Sequence, residues 1–109
     1  KDLHMSPGKV AAQVAHAVLG AYKATAGGSG GMSILQEWEM GGEPTIILSV
    51  DSAFSLQDLL GQAAVAGLVN HCVADAGRTE VEPGTQTVGA IGPDSTEKID
   101  AVTGKLGLY

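Results

Sequence analysis

The stretch that decides the fold is Thr45-Ile46-Ile47-Leu48-Ser49-Val50, followed by Ser55 to Leu68 and then by Val69-Asn70-His71-Cys72-Val73-Ala74. The first piece is a β-branched apolar run of the kind that suits a buried strand. The middle piece repeats apolar residues at helical spacing, with Leu56, Leu59, Leu60, Ala63 and Leu68 on one face. Ser55 and Asp58 read as a capping box for it, Asp standing where Glu is usual, and Gly67 falls near its end. The last piece is again short, apolar and β-branched. Strand, helix and strand in that order specify an α/β layered domain.

Working outward, Gln86 to Ile91 reads as a further strand, with Pro83-Gly84 favouring a tight turn before it. Ser95 to Val102 reads as a short helix that Gly104 ends. Upstream, Ser6-Pro7 opens a long helix, since Ser caps well and Pro suits the first helical position. Its Ala-rich body runs to about Lys23 and stops in Gly27-Gly28-Ser29-Gly30-Gly31. Ser33 to Met40 reads as a second short helix with Trp38 as a packing anchor, broken by Gly41-Gly42-Glu43-Pro44. The expectation is one domain over residues 1–109, with a mixed central sheet of about four strands and helices on both faces. Three strands are legible, so the first strand of the sheet is expected to lie ahead of Lys1.

Composition sets outer limits. The chain has 109 residues, 44% of them hydrophobic, which is enough for a core without staples and argues against disorder. Only one Trp, two Tyr and one Phe are present, so Val, Leu, Ile and Ala must fill that core. Cys72 is the only cysteine, which excludes an intrachain disulfide and weakly favours a reducing compartment. No apolar stretch approaches membrane-spanning length. The formal net charge of −6 argues against a nucleic-acid partner on bulk charge alone, although local placement of the six Lys and Arg matters more than the sum.

The reactive side chains gather in two runs. On a wheel of the first helix, Lys9, Gln13, His16, Gly20 and Lys23 fall within a sector of about 80°. Val10, Val14, Val18 and Ala21 occupy the neighbouring apolar face, and most of the remainder is Ala. A solvated face would carry more charge, so this polar line reads either as an ordinary exposed stripe or as the lip of a cleft. The second run is Asp75-Ala76-Gly77-Arg78-Thr79, at the end of a strand, where open α/β sheets gather ligands. Asp75 and Arg78 read equally well as a local turn contact. The three histidines, His4, His16 and His71, lack metal-ligand spacing, and the glycine-rich loop lacks the Lys-Ser/Thr of a phosphate cradle. No metal and no cofactor are expected.

Taken together these runs resemble the archaeal and eukaryotic type of peptidyl-tRNA hydrolase. Met5-Ser6-Pro7-Gly8-Lys9-Val10-Ala11-Ala12-Gln13-Val14-Ala15-His16-Ala17 is similar to that family's opening signature, and Asp75-Ala76-Gly77-Arg78-Thr79-Glu80-Val81-Glu82-Pro83-Gly84-Thr85-Gln86-Thr87-Val88 to its second. Ile91-Gly92-Pro93, Ile99-Asp100, Val102-Thr103-Gly104 and Leu108-Tyr109 are similar to its ending. The departures are local. Ser6-Pro7 replaces Gly-Lys, Val14-Ala15 replaces Cys-Ser, and Gly89-Ala90 replaces Leu-Gly, a change expected to shift the last strand.

The resemblance implies hydrolysis of the ester between a peptide and the 3′ ribose of tRNA, recycling the tRNA in the cytoplasm, or with a mitochondrial association if an upstream segment exists. It places Lys9, Asp75, Thr79 and Thr87 in the catalytic set. Asp75 would orient or deprotonate the water, or hold a partner that does. His16 is the competing base, imidazole being the side chain that ordinarily titrates nearest neutrality. Lys9 would stabilise developing negative charge or grip a phosphate, and the Thr79 and Thr87 hydroxyls would meet the ester oxygen or ribose. Gln13 would fix orientation, and Arg78 would contact RNA or hold its loop. Lys9, Lys23 and Arg78 are expected to form a small basic cluster that binds tRNA weakly and in a salt-sensitive way. A homodimer is compatible with the resemblance. The competing class is a non-enzymatic interaction or signalling module using the Ala- and Val-rich helix faces.

Overall fold

The computed structural model describes residues 5–74 and 86–109. The first helix, α1 (Pro7–Ala26), starts where the sequence calls for it. Ser6 is extended, its Oγ accepts the Lys9 backbone N–H at 3.3 Å, and Pro7 occupies the first turn. Gly27 caps the other end by donating its N–H to the Lys23 carbonyl at 3.1 Å. Gln13, Ala17, Ala21 and Thr25 are buried at one-turn spacing. Three of these four are uncharged and compact, so neighbouring elements come close to the helix axis. Thr25 settles its own hydroxyl by donating to the Ala21 carbonyl at 2.8 Å.

The glycine loop returns the chain onto α1. A Cβ on Gly31 would collide with the Thr25 carbonyl, so the contact admits only glycine. From it runs α2 (Gly31–Met40), with Leu35 buried against the core. Trp38 donates its Nε1–H to the Pro44 carbonyl at 2.9 Å and packs tilted on Tyr22, ring centroids 6.4 Å apart. Tyr22 donates its hydroxyl to Glu39 Oε1 at 2.9 Å. That hydrogen bond, together with the Glu39 charge, pushes the phenol above its ordinary range.

Thr45–Val50 corrects the sequence reading. Among the described residues this run is not a strand of the sheet. Its pairing among the described residues is a single antiparallel bridge, Leu48 to Leu108, flanked by Ser49 N–H to the Gly107 carbonyl and Tyr109 N–H to the Ile47 carbonyl, both 3.0 Å. A β-branched run becomes a strand only where a partner backbone runs beside it, and Ile46 stays 72% exposed. A groove of about 580 Å³ separates the run from the sheet, lined among others by Val14, Val18, Leu48, Leu59, Val88 and Ile99.

The helix α3 (Ala53–Val65) begins two residues ahead of the expected Ser55. Ser52, not Ser55, is the cap: it is extended at φ −155° and its Oγ accepts the Ser55 N–H at 3.2 Å. Asp58 instead accepts from Gln62 Nε2 at 2.9 Å. The helix ends in a Schellman turn, with Gly67 at φ 77° and Leu68 N–H bonded to the Ala63 carbonyl at 2.9 Å.

Among the described residues the sheet has two strands, β1 (Asn70–Ala74) and β2 (Gln86–Ile91), paired antiparallel. The four-stranded mixed sheet of the sequence reading is not what these residues form. Helices do cover both faces. On one, a methyl added to Gly89 would lie 3.0 Å from Leu56 Cδ1 and 3.1 Å from Leu60 Cδ2, so this glycine seats the α3 leucines. On the other, α1 packs across both strands. The last helix, α4 (Thr96–Thr103), lies one residue later than the expected Ser95 to Val102, with Ser95 as its cap, and Gly104 ends it as its sequence predicts.

The cap assignment is open to test. Ser52→Ala should lower unfolding stability by about 0.5–2 kcal/mol, the usual range for a lost N-cap. Ser55→Ala should leave the cap bond in place, because that residue contributes its backbone N–H. Urea unfolding of the two variants checks the order.

Candidate active site

The site expected from the sequence draws on α1 and on the facing ends of β1 and β2. Lys9, Gln13, His16 and Lys23 all lie on α1, and their helical spacing keeps them along one edge of it. Gln13 turns inward and is 6% exposed, Lys9 is half-buried, and His16 and Lys23 are exposed. α1 carries no Asp or Glu, so this edge is basic within an acidic chain.

The strands meet α1 through a β-bulge. Ala74 pairs with Gln86 and Val73 with Val88, which leaves Thr87 as the extra residue. A bulge interrupts the strict alternation of side chains and re-aims one of them. Gln86 faces α3, where Gln57 donates its amide N–H to Gln86 Oε1. Thr87 faces α1 and donates its hydroxyl to Gln13 Oε1 at 2.7 Å. The bulge therefore joins the opening run of the chain to the closing end of its second run. Asp75, Arg78 and Thr79 lie outside the described residues.

A second contact between α1 and the sheet falls higher up the same edge. A Cβ on Gly20 would run into the imidazole ring of His71. The half-buried ring of β1 is thus laid directly over the helix backbone, between His16 and Lys23 in the chain. His71 was not among the residues the sequence singled out. The available signal was Gly20 itself, a flexible residue in mid-helix and inside the polar sector, where Gly is unfavourable unless something needs the space.

Cys72 faces α3, with Gln57 Nε2 at 3.7 Å from its Sγ. Burial pushes its thiol up, against a partial lowering by Gln57, which suits a packing residue better than a thiolate nucleophile. Among the described residues no group of three His, Cys, Asp or Glu side chains is placed to hold a metal, and no helix is long and apolar enough to cross a membrane.

The family model described as "Peptidyl-tRNA hydrolase PTH2" matches residues 1–109. The chain belongs to this family. Among relatives, "Peptidyl-tRNA hydrolase" of Haloquadratum walsbyi is 46% identical over 108 residues, 99% of this chain and 92% of that protein. "Peptidyl-tRNA hydrolase" of Methanothermobacter thermautotrophicus is 41% identical over 107 residues, 98% and 91% of the two chains. "Peptidyl-tRNA hydrolase 2, mitochondrial" of Mus musculus is 46% identical over 108 residues, 99% of this chain. The chain spans 59% of that mouse protein's length.

The hydrogen bond between helix and bulge makes a stability prediction. Thr87→Val keeps the shape of the side chain and removes the donor to a buried amide oxygen. Unfolding stability should fall by about 1–3 kcal/mol. A double-mutant cycle with Gln13→Ala should show a coupling of about 0.5–3 kcal/mol, as expected for side chains in direct contact.

Proposed function

We propose that this chain, as a single domain over residues 1–109, hydrolyses the ester linking a peptide to the 3′ ribose of tRNA. The observation that carries this reading is the family match over the whole chain. The geometry supports it by joining Thr87 to Gln13, one turn along α1 from Lys9.

The reaction needs an activated water, a stabilised oxyanion and a protonated leaving group. In this reading water attacks the ester carbonyl while Asp75, next in sequence after the last residue of β1, orients or deprotonates it. His16 competes for the base role from the same edge of α1. Lys9 stabilises the charge that develops on the carbonyl oxygen or holds a phosphate. The Thr87 hydroxyl, oriented by buried Gln13, and that of Thr79 meet the ester oxygen or the ribose. The released 3′ oxygen takes up a proton as the bond to the acyl carbon breaks. Lys9, Lys23 and Arg78 form the basic contact with tRNA, and Arg78 alternatively holds its own loop.

The wider fold belongs to the same proposal. The groove between β2 and Thr45–Val50 is apolar and bordered by extended chain, which suits it to the further strand that would bring the sheet to about four. A homodimer and a cytoplasmic location, or a mitochondrial association as in the name of the mouse relative, complete the reading.

Incubation with N-blocked aminoacyl-tRNA should release the acyl group, and stoichiometric capture without turnover would instead show an interaction module. In single-turnover reactions the variant lacking the base should slow by about 10²–10⁴-fold, so Asp75→Asn and His16→Ala decide between the two candidates. Full rates in both would sink the mechanism. Lys23→Ala should lower the slope of log affinity for tRNA against log salt by about 0.7–0.9, one phosphate contact fewer.

A further inference from the structure

The geometry points to His71 as a further tRNA-binding residue, seated on Gly20 so that an imidazole completes the basic edge of α1. This inference rests on the hydrolase reading above. Lys9, His16 and Lys23 mark that edge over fifteen residues, a strip about 21 Å long at the helical rise. Between His16 and Lys23 the helix presents Gly20, which has no side chain to offer. β1 supplies the missing group from outside the helix. The imidazole of His71 occupies the place of a Gly20 side chain, and it is half-buried, with part of its surface in solvent.

A structural account of the pair would need only an apolar side chain filling the space above Gly20, as the α3 leucines fill the space above Gly89. Val73 and Ala90 show that apolar side chains serve elsewhere on this sheet. Here a residue with two ring nitrogens fills the contact, flanked along α1 by an exposed imidazole and an exposed ammonium. Imidazole N–H donates to phosphate and to ribose oxygen, the two groups that a double-stranded RNA arm displays across its shallow groove. The acceptor arm of tRNA lies next to the ester that is cleaved, so a basic strip leading away from Lys9 and Thr87 offers that arm a path. His71 thereby acts in binding, away from the reacting atoms.

The test uses a fluorescent, uncharged acceptor-arm minihelix, whose binding is read by anisotropy and requires no turnover. His71→Ala should weaken binding by about 3- to 10-fold, the worth of one hydrogen bond to an anionic or ribose oxygen. In hydrolysis assays the loss should fall on KM rather than on kcat. Gly20→Ala displaces the ring and should weaken binding by a similar factor. The double variant Gly20→Ala with His71→Ala removes the collision, and should bind like His71→Ala alone instead of showing the product of the two losses. His71→Gln, which keeps an N–H donor, should recover part of the affinity. Wild-type affinity in His71→Ala overturns the assignment, as does a wild-type chain that does not bind the minihelix. A wild-type chain that binds the minihelix through His71 but releases no acyl group overturns the hydrolase reading and leaves this one standing.

Discussion

A single buried amide ties the beginning of this chain to its second half. Gln13 is removed from solvent, and a buried amide must find partners or exact a penalty of a few kcal/mol. Its Oε1 finds one in the Thr87 hydroxyl, seventy-four residues away. That bond is possible because two independent features cooperate. The helix is lined with Ala17 and Ala21 where it meets the sheet, so the backbones come near. The sheet carries one extra residue at the point of contact, so a side chain that plain alternation would send toward α3 is sent toward α1.

The two faces of the sheet are accordingly put to different uses. Toward α3 the contacts are those of a core: Gly89 under Leu56 and Leu60, and Cys72 beside Gln57. Toward α1 the buried Ala17 and Ala21 are joined by polar and edge contacts: Thr87 on Gln13, and His71 over Gly20. The α1–α2 corner anchors the far end of the long helix through Trp38, Tyr22 and Glu39, well away from the Lys9 end. A rigid helix held at both of its ends is a suitable mount for a row of cationic side chains, because the spacing of the row is then set by the helix alone.

Much of this was legible in the sequence where the determinants are local. Ser6 with Pro7, and Ser95 with Gly104, mark helix ends through hydrogen bonds made within a few residues, and the structure keeps them. Gly67 was placed near a helix end for the same reason. The α3 cap differs from the expectation because Ser52 and Ser55 both offer a hydroxyl near the apolar run, and the choice depends on which backbone is extended. The Thr45–Val50 strand failed for a different reason: β propensity describes a surface that fits beside a partner, and the partner is not in the local sequence. The candidate site divides the same way. The α1 edge follows from helical periodicity. The bulge at Thr87 does not, since nothing in Gln86-Thr87-Val88 reports which residue the opposite strand will skip. His71 is not legible in the sequence, because one histidine in a strand has no period to betray it.

The bulge also makes chain length, and not only chain chemistry, part of what defines this molecule. Substitution at Gln86 or Val88 changes one side chain, but adding or removing a single residue there would reverse the facing of every β2 side chain on one side of the change. Either the Thr87 hydroxyl would then point at leucines, or the room left by Gly89 would open on the wrong side. Sequence drift in this segment should therefore proceed by replacement, and indels should fall outside it.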